Sequence, residues 1–267
     1  MKIYPKNKAG IIRSLAFAVC AYLLGGLYLY VNQRSYIYFP SAQDFYQCES
    51  VDATAGSRQG TRYYYHEGGD TLVIFYHGNA GSACDRSFII DYLKNFDASI
   101  FIVEYAGYSN DARIPSKELL YADAKNIRDM VSTLPHKKVI IIGESIGNGP
   151  ASFHASYGGV DILILLSSFT SLSEVAQYHY KIYPARLLLK DNYSPLNNLN
   201  GSSFDGKLIV INGENDAVIP AKIGRRFFER VTVRNKQLIE VQNGGHNLLS
   251  EYPEVFNIFS EAVRPAL

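Results

Sequence analysis

The chain has 267 residues, enough for one large domain with a sizeable core. Its 26 basic and 25 acidic residues are intermixed and leave a net charge of +1, which excludes the basic stripe of a nucleic-acid binder. No pair among the three cysteines, Cys20, Cys48 and Cys84, has the spacing of a zinc site.

Residues 1–14 carry Lys2, Lys6, Lys8 and Arg13. An uncharged apolar run follows from Leu15 to Val31. As a helix those seventeen residues would be about 26 Å long, close to the hydrocarbon core of a thin bilayer. Tyr28, Tyr30, Tyr36 and Tyr38 crowd its far end, as an interfacial aromatic belt would. Of the basic residues only Arg34 follows closely, so the positive-inside rule puts the N-terminus in the cytoplasm and the rest of the chain across the membrane. A cleavable signal peptide is the rival reading; the run is long for one, and no A-x-A site closes it. Residues 32–42 read as an extended linker.

Residues 43–267 read as one domain. Phe45–Val51 and Thr61–Tyr65 have the character of short antiparallel edge strands. From Thr71 onward buried strands alternate with amphipathic helices. Strands are expected at Leu72–Tyr76, Ser99–Glu104, Lys138–Ile142, Asp161–Leu166, Leu208–Ile211 and Leu238–Val241. Helices are expected at Asp85–Asn95, Ser116–Ser132, Ile146–Ser156, Ala221–Val231 and Leu248–Val263. Repeated β-then-α units imply a mostly parallel sheet with helices on both faces, whose ligands bind at the C-terminal strand ends. Residues 170–203 interrupt the alternation and read either as a small cap over the cleft or as a surface excursion.

Four strand ends carry suggestive chemistry. Gly143-Glu-Ser145-Ile-Gly147 fits G-x-S-x-G, in which a strand turns sharply into a helix and lifts a serine to the top of the sheet. The N–H of Ile146 would sit at a helix start, free to bind developing negative charge. His77-Gly-Asn79-Ala-Gly81 is a glycine-rich turn whose Asn79 N–H would supply a second donor, with Ala80 the alternative. Asn212-Gly-Glu-Asn-Asp216 offers Asp216 as the acid, with Glu214 the alternative, and Gly244-Gly-His246 offers the base. A neutral serine hydroxyl needs a base within hydrogen-bond reach, and that base needs a group to hold its tautomer. Ser145, His246 and Asp216 fill those roles in the chain order Ser, Asp, His. His66, His136, His154 and His179 lie on helices or away from strand ends, and His77 reads as part of its turn.

With these residues in view, the chain resembles the α/β-hydrolase superfamily, and within it the membrane-anchored ABHD-type (serine aminopeptidase-like) serine hydrolases. The resemblance runs from about Thr71 to Phe259. It rests on Tyr76-His-Gly-Asn-Ala-Gly81, Gly143-Glu-Ser-Ile-Gly-Asn-Gly-Pro150, Leu165-Leu-Ser-Ser-Phe-Thr-Ser-Leu172, Gly213-Glu-Asn-Asp-Ala-Val-Ile-Pro220 and Gly245-His246. The loop after Tyr105, Gly-Tyr-Ser-Asn-Asp-Ala-Arg-Ile-Pro-Ser-Lys117, departs from the family's usual Gly-Tyr-Gly-x-Ser-x-Gly-x-Pro-Ser-Glu.

The expectation is a membrane-anchored serine hydrolase that cleaves an ester, thioester or amide through an acyl-enzyme, with a lipid or acyl ester as substrate and no metal or cofactor. The alternatives are a serine peptidase and a non-catalytic membrane protein on a hydrolase fold. Cys48 and Cys84 are either a disulfide, if the domain lies outside the cytoplasm, or two unrelated thiols. The oligomeric state is not legible.

Overall fold

A computed structural model describes residues 8–49 and 51–264; Lys2 and Lys6 lie outside them. The chain opens with helix α1 (Lys8–Asn32), a 3-10 turn (Gln33–Tyr36) and strand β1 (Phe39–Pro40). Next come β2 (Thr54–Arg58), β3 (Thr61–Tyr76), β4 (Ala80–Gly81) and α2 (Phe88–Leu93). Then follow β5 (Ala98–Glu104), α3 (Lys117–Val131), β6 (Lys138–Glu144), α4 (Asn148–Ala155) and β7 (Ile162–Leu166). The excursion holds α5 (Leu172–His179), α6 (Ala185–Leu188) and α7 (Pro195–Leu199). The domain closes with β8 (Lys207–Gly213), α8 (Ala221–Arg230), β9 (Lys236–Val241), α9 (Leu248–Glu251) and α10 (Val255–Val263).

The two strands expected at 61–65 and 72–76 are the two arms of β3. Arg62 to His66 run antiparallel to β5, from Glu104 back to Ile100. Leu72 to Tyr76 then run beside β5 on its other edge, stepping from Ser99 to Val103 in the same direction. Between the arms the chain passes round the start of β5, and the glycines make that possible. A Cβ on Gly68 would lie 2.3 Å from the Ala98 carbonyl oxygen, and one on Gly69 2.2 Å from that of Asp97. β2 pairs with the first arm, and β6, β7, β8 and β9 extend the sheet in parallel from the second.

The central strands β5 to β8 are buried on both faces, as their runs of β-branched residues require, while β2 and β9 at the edges are partly exposed. Ile141, Leu163, Leu165 and Val210 face α3, α4 and α8, while Ile140, Ile142, Ile164 and Ile211 face α2 and α10. Successive residues thus serve opposite cores.

Three local expectations are corrected. The described residues of Phe45–Val51 form no strand. Asp44 accepts the N–H of Tyr46 and starts a 3-10 turn over Phe45–Gln47, whose Phe45 ring stacks on Tyr64; the edge strand is β2. The last helix is broken, because Tyr252 precedes Pro253 and leaves the helical region at ψ 84°. Residues 32–42 are not extended throughout, since Gln33–Tyr36 form a 3-10 turn. Tyr38 is buried with its hydroxyl 2.8 Å from that of Tyr193, and β1 pairs with β4 beside the His77–Gly81 turn.

The helix α1 is long and apolar enough to cross a membrane. Cys48 and Cys84, 36 residues apart, are joined in a disulfide.

Candidate active site

The turn after β6 is held open by steric necessity. A Cβ on Gly143 would stand 2.8 Å from Cβ of Ala151 and 2.9 Å from Oδ1 of Asn148, and one on Gly147 2.6 Å from the His77 carbonyl oxygen. The helix that follows therefore packs directly against the strand. Ser145, between them, has φ of 52°, a conformation that costs a non-glycine residue energy. The strain lifts its side chain out of the sheet and into a cavity.

His246 bridges Ser145 and Asp216. Its Nε2 lies 3.1 Å from Ser145 Oγ and its Nδ1 2.8 Å from Asp216 Oδ2. A carboxylate only accepts, so Nδ1 carries the hydrogen and Nε2 is left to accept from the serine hydroxyl. The Asp216 side chain is almost fully buried, and its Oδ1 accepts the N–H groups of Val218 at 2.8 Å and Ile219 at 2.7 Å. The acid is thus locked by the loop after β8. Glu214 is exposed and, among the described residues, its carboxylate accepts only from the Asn243 N–H, at 3.3 Å, which removes it as the partner of His246. This arrangement can take a proton from the hydroxyl and return it to a departing atom.

The turn after the second arm of β3 faces the same cavity. Asn79 lines it and the exposed Ala80 does not. The Asn79 carbonyl accepts from Phe39 N–H and Tyr108 hydroxyl, and its side chain donates to the Ile37 carbonyl. Its own N–H meets no protein acceptor among the described residues. Ile146 also lines the cavity, one residue beyond the serine.

Sequence reasoning put His77 in its turn but missed Glu144, Arg86, Glu104 and Tyr105, which brace these turns. Glu144, next to Ser145, accepts from Arg86 through both oxygens, at 2.8 and 3.2 Å, and from the Gly78 N–H at 3.1 Å. Burial opposes the charge on Arg86, but Glu144 outweighs it and holds the guanidinium above its ordinary pKa. His77 is fully buried with Nε2 3.2 Å from Glu104, and its carbonyl accepts from the Tyr105 hydroxyl at 2.7 Å. Burial raises Tyr105 well above its ordinary pKa, so it stays a donor. Only distant sequence positions make these pairs, and no local pattern announces them.

The cavity has a volume of about 400 Å³, within the usual range for a small-molecule site. Residues 170–203 do line it, through Leu172, Val175, Tyr180, Tyr183 and Leu188. So does His179, whose Nε2 lies 2.8 Å from the Val218 carbonyl oxygen. Leu29, Tyr30, Gln33 and Ile37 line it as well, a contribution that the sequence did not suggest.

No model of a known protein family matches the chain. The uncharacterized protein Rv2307c of Mycobacterium tuberculosis is 30% identical over 246 residues, covering 86% of each chain. Human protein ABHD12B is 26% identical over 211 residues, covering 69% of this chain and 58% of its own. Among solved structures, an esterase of Pyrococcus furiosus superposes with a TM-score of 0.64 at 14% identity, covering 85% of this chain and 96% of its own. This sheet and this turn geometry are those of the α/β-hydrolase fold, and the chain belongs to one family with the Mycobacterium protein and is similar in sequence to ABHD12B.

Proposed function

We propose that the protein is a membrane-anchored serine hydrolase acting on a lipid or acyl ester, thioester or amide, with Ser145 as nucleophile, His246 as base and Asp216 as its orienting acid. The observation that carries this reading is the placement of His246 between the other two at hydrogen-bond distance. The Ser145 Oγ bonds to the substrate carbonyl carbon while its proton passes to His246 Nε2. The bond to the leaving atom then breaks as His246 returns that proton to it. Water repeats the sequence: its oxygen joins the acyl carbon, its proton passes through His246 to Ser145 Oγ, and the acid departs. The N–H groups of Asn79 and Ile146 would hold the negative oxygen that forms at each addition.

An acyl chain suits the cavity better than a peptide amino terminus, because no carboxylate lines it among the described residues. In this reading residues 15–31 cross the membrane, residues 1–14 stay in the cytoplasm and the domain from 43 to 267, with 170–203 as its cap, lies on the other side. The basic Lys8 and Arg13 at the start of α1 support that orientation. So does the Cys48–Cys84 disulfide, since such bonds persist in oxidising compartments.

The test is labelling by a fluorophosphonate probe, with the wild type and Ser145→Ala in parallel. Labelling of the wild type alone is expected. Equal labelling of both, or of neither in folded protein, would defeat the assignment. Protection of residues 40–267 from external protease in intact cells, matching a cytoplasmic marker, would overturn the orientation.

A further inference from the structure

Helix α1 does not simply leave the domain. From Tyr22 onward it lies against the cap. The Tyr22 ring stacks on Tyr183, with centroids 4.8 Å apart and planes 17° from parallel. The Tyr22 hydroxyl donates to the Ile182 carbonyl at 2.8 Å, and the Tyr183 hydroxyl donates to the Tyr22 carbonyl at 3.3 Å. Gly25 and Gly26 leave the room: a Cβ on the first would stand 2.5 Å from Tyr183 Oη, and one on the second 3.0 Å from its Cε1. At the end of the helix Gln33 accepts the Lys190 N–H at 2.6 Å, and Arg34 pairs with the buried Asp191 at 2.8 Å.

These contacts fix the depth of the cap. Tyr22 lies ten residues before the helix end at Asn32, about 15 Å along the axis. Even at a tilt of about 40° the descent is roughly 11 Å, well below the edge of a hydrocarbon core about 30 Å thick. The cap residue at that level is Ile182, outward-facing and 72% exposed, while Leu187, 84% exposed, precedes Leu188, whose carbonyl accepts from Gln33 at 3.4 Å near the helix end. Lys181 and Arg186 beside them have stems long enough to reach the headgroups.

We infer that the tip of the cap is immersed in the non-cytoplasmic leaflet, and that the substrate is a lipid of that leaflet whose acyl chain enters the cavity sideways, between α1 and the cap. This rests on the serine-hydrolase reading and adds the route and the source of the substrate. Leu29 and Tyr30 of α1, Val175 and Leu188 of the cap, and Ser145 all line one cavity. The anchor is therefore one wall of the acyl site. A chain that passes from lipid to this cavity never exposes its methylenes to water, which removes the hydrophobic cost of extraction.

Two measurements on the full-length protein in phosphatidylcholine vesicles test this. The first places an environment-sensitive fluorophore on Ile182→Cys in a Cys20→Ser background. A blue-shifted emission quenched by acyl-chain spin labels is expected; a water-like emission without quenching overturns the immersion. The second compares Leu29→Trp with wild type on p-nitrophenyl palmitate in the vesicles and p-nitrophenyl acetate in solution. The ratio of kcat/KM for palmitate to that for acetate should fall at least tenfold. An unchanged ratio, in protein that the fluorophosphonate still labels at Ser145, overturns the wall and leaves the serine reading intact. Loss of wild-type labelling would instead remove the serine reading itself.

Discussion

The carbonyl oxygen of Tyr76 lies 2.2 Å from where a Cβ on Gly147 would stand. The end of β3 and the turn after β6 are thus packed backbone to backbone, so the Asn79 turn and the Ser145 turn share one wall. Gly147→Ala must push them apart. The expected outcome is destabilisation of about 1–3 kcal/mol or more and a fall in the rate of fluorophosphonate labelling. Denaturant midpoints and labelling kinetics check both; wild-type values for both would show that the turns are not mutually supported.

Asp216→Asn tests the acid. The two loop N–H groups hold one oxygen, so the new amide nitrogen would face Nδ1 of His246 and favour the wrong tautomer. A loss in kcat on the order of 10⁴ is expected, by comparison with the serine-protease triad. Glu214→Gln, exposed and remote from His246, should leave kcat within about twofold, below the threshold of a resolvable barrier change. The reverse pattern in steady-state rates would exchange the two roles.

Closing 36 residues with the Cys48–Cys84 bond should stabilise the fold by about 4 kcal/mol in the chain-entropy model. Replacing both cysteines by serine is expected to lower the denaturant midpoint accordingly, and a reducing agent should do the same to the wild type only. A reductant effect of equal size on the double variant would point away from this bond.

Stability should depend on pH through two buried groups of opposite sign. Burial lowers His154 to about 3, with Arg128 adding to the effect, while its Nδ1 accepts from the Tyr76 hydroxyl. The unfolded chain takes up that proton below about 6.5. The contribution is therefore complete above that pH and is lost as pH falls toward 3. Burial raises Asp123 to about 6, against the hydrogen bonds it accepts from Thr61 and Ala106. Its contribution is present below about 3.9 and lost as pH rises through 6. Between pH 4 and 6 the two slopes offset. Asp123→Asn should unmask the histidine, steepening the acid loss there by up to about 1.4 kcal/mol per pH unit. Urea midpoints at several pH values would show it; parallel profiles for the two proteins would refute the assignment.

The amino-acid sequence determined the sheet, the turn at Ser145, the order of Ser145, Asp216 and His246, and the apolar helix. Each is written in a few neighbouring residues, because β-branched runs, crowded glycine turns and an uncharged helical run act over short range. The tertiary structure alone decided the rest. It set Asp216, rather than Glu214, against His246, with the carboxylate buried and held by two loop N–H groups. It wrapped β3 around β5 through Gly68 and Gly69, and it paired Cys48 with Cys84. It turned an expected linker and a span into walls of the cavity, through contacts such as Tyr22 with Ile182, 160 residues apart. Those outcomes depend on which surfaces meet after the chain has closed loops of that length, and no local periodicity encodes the meeting.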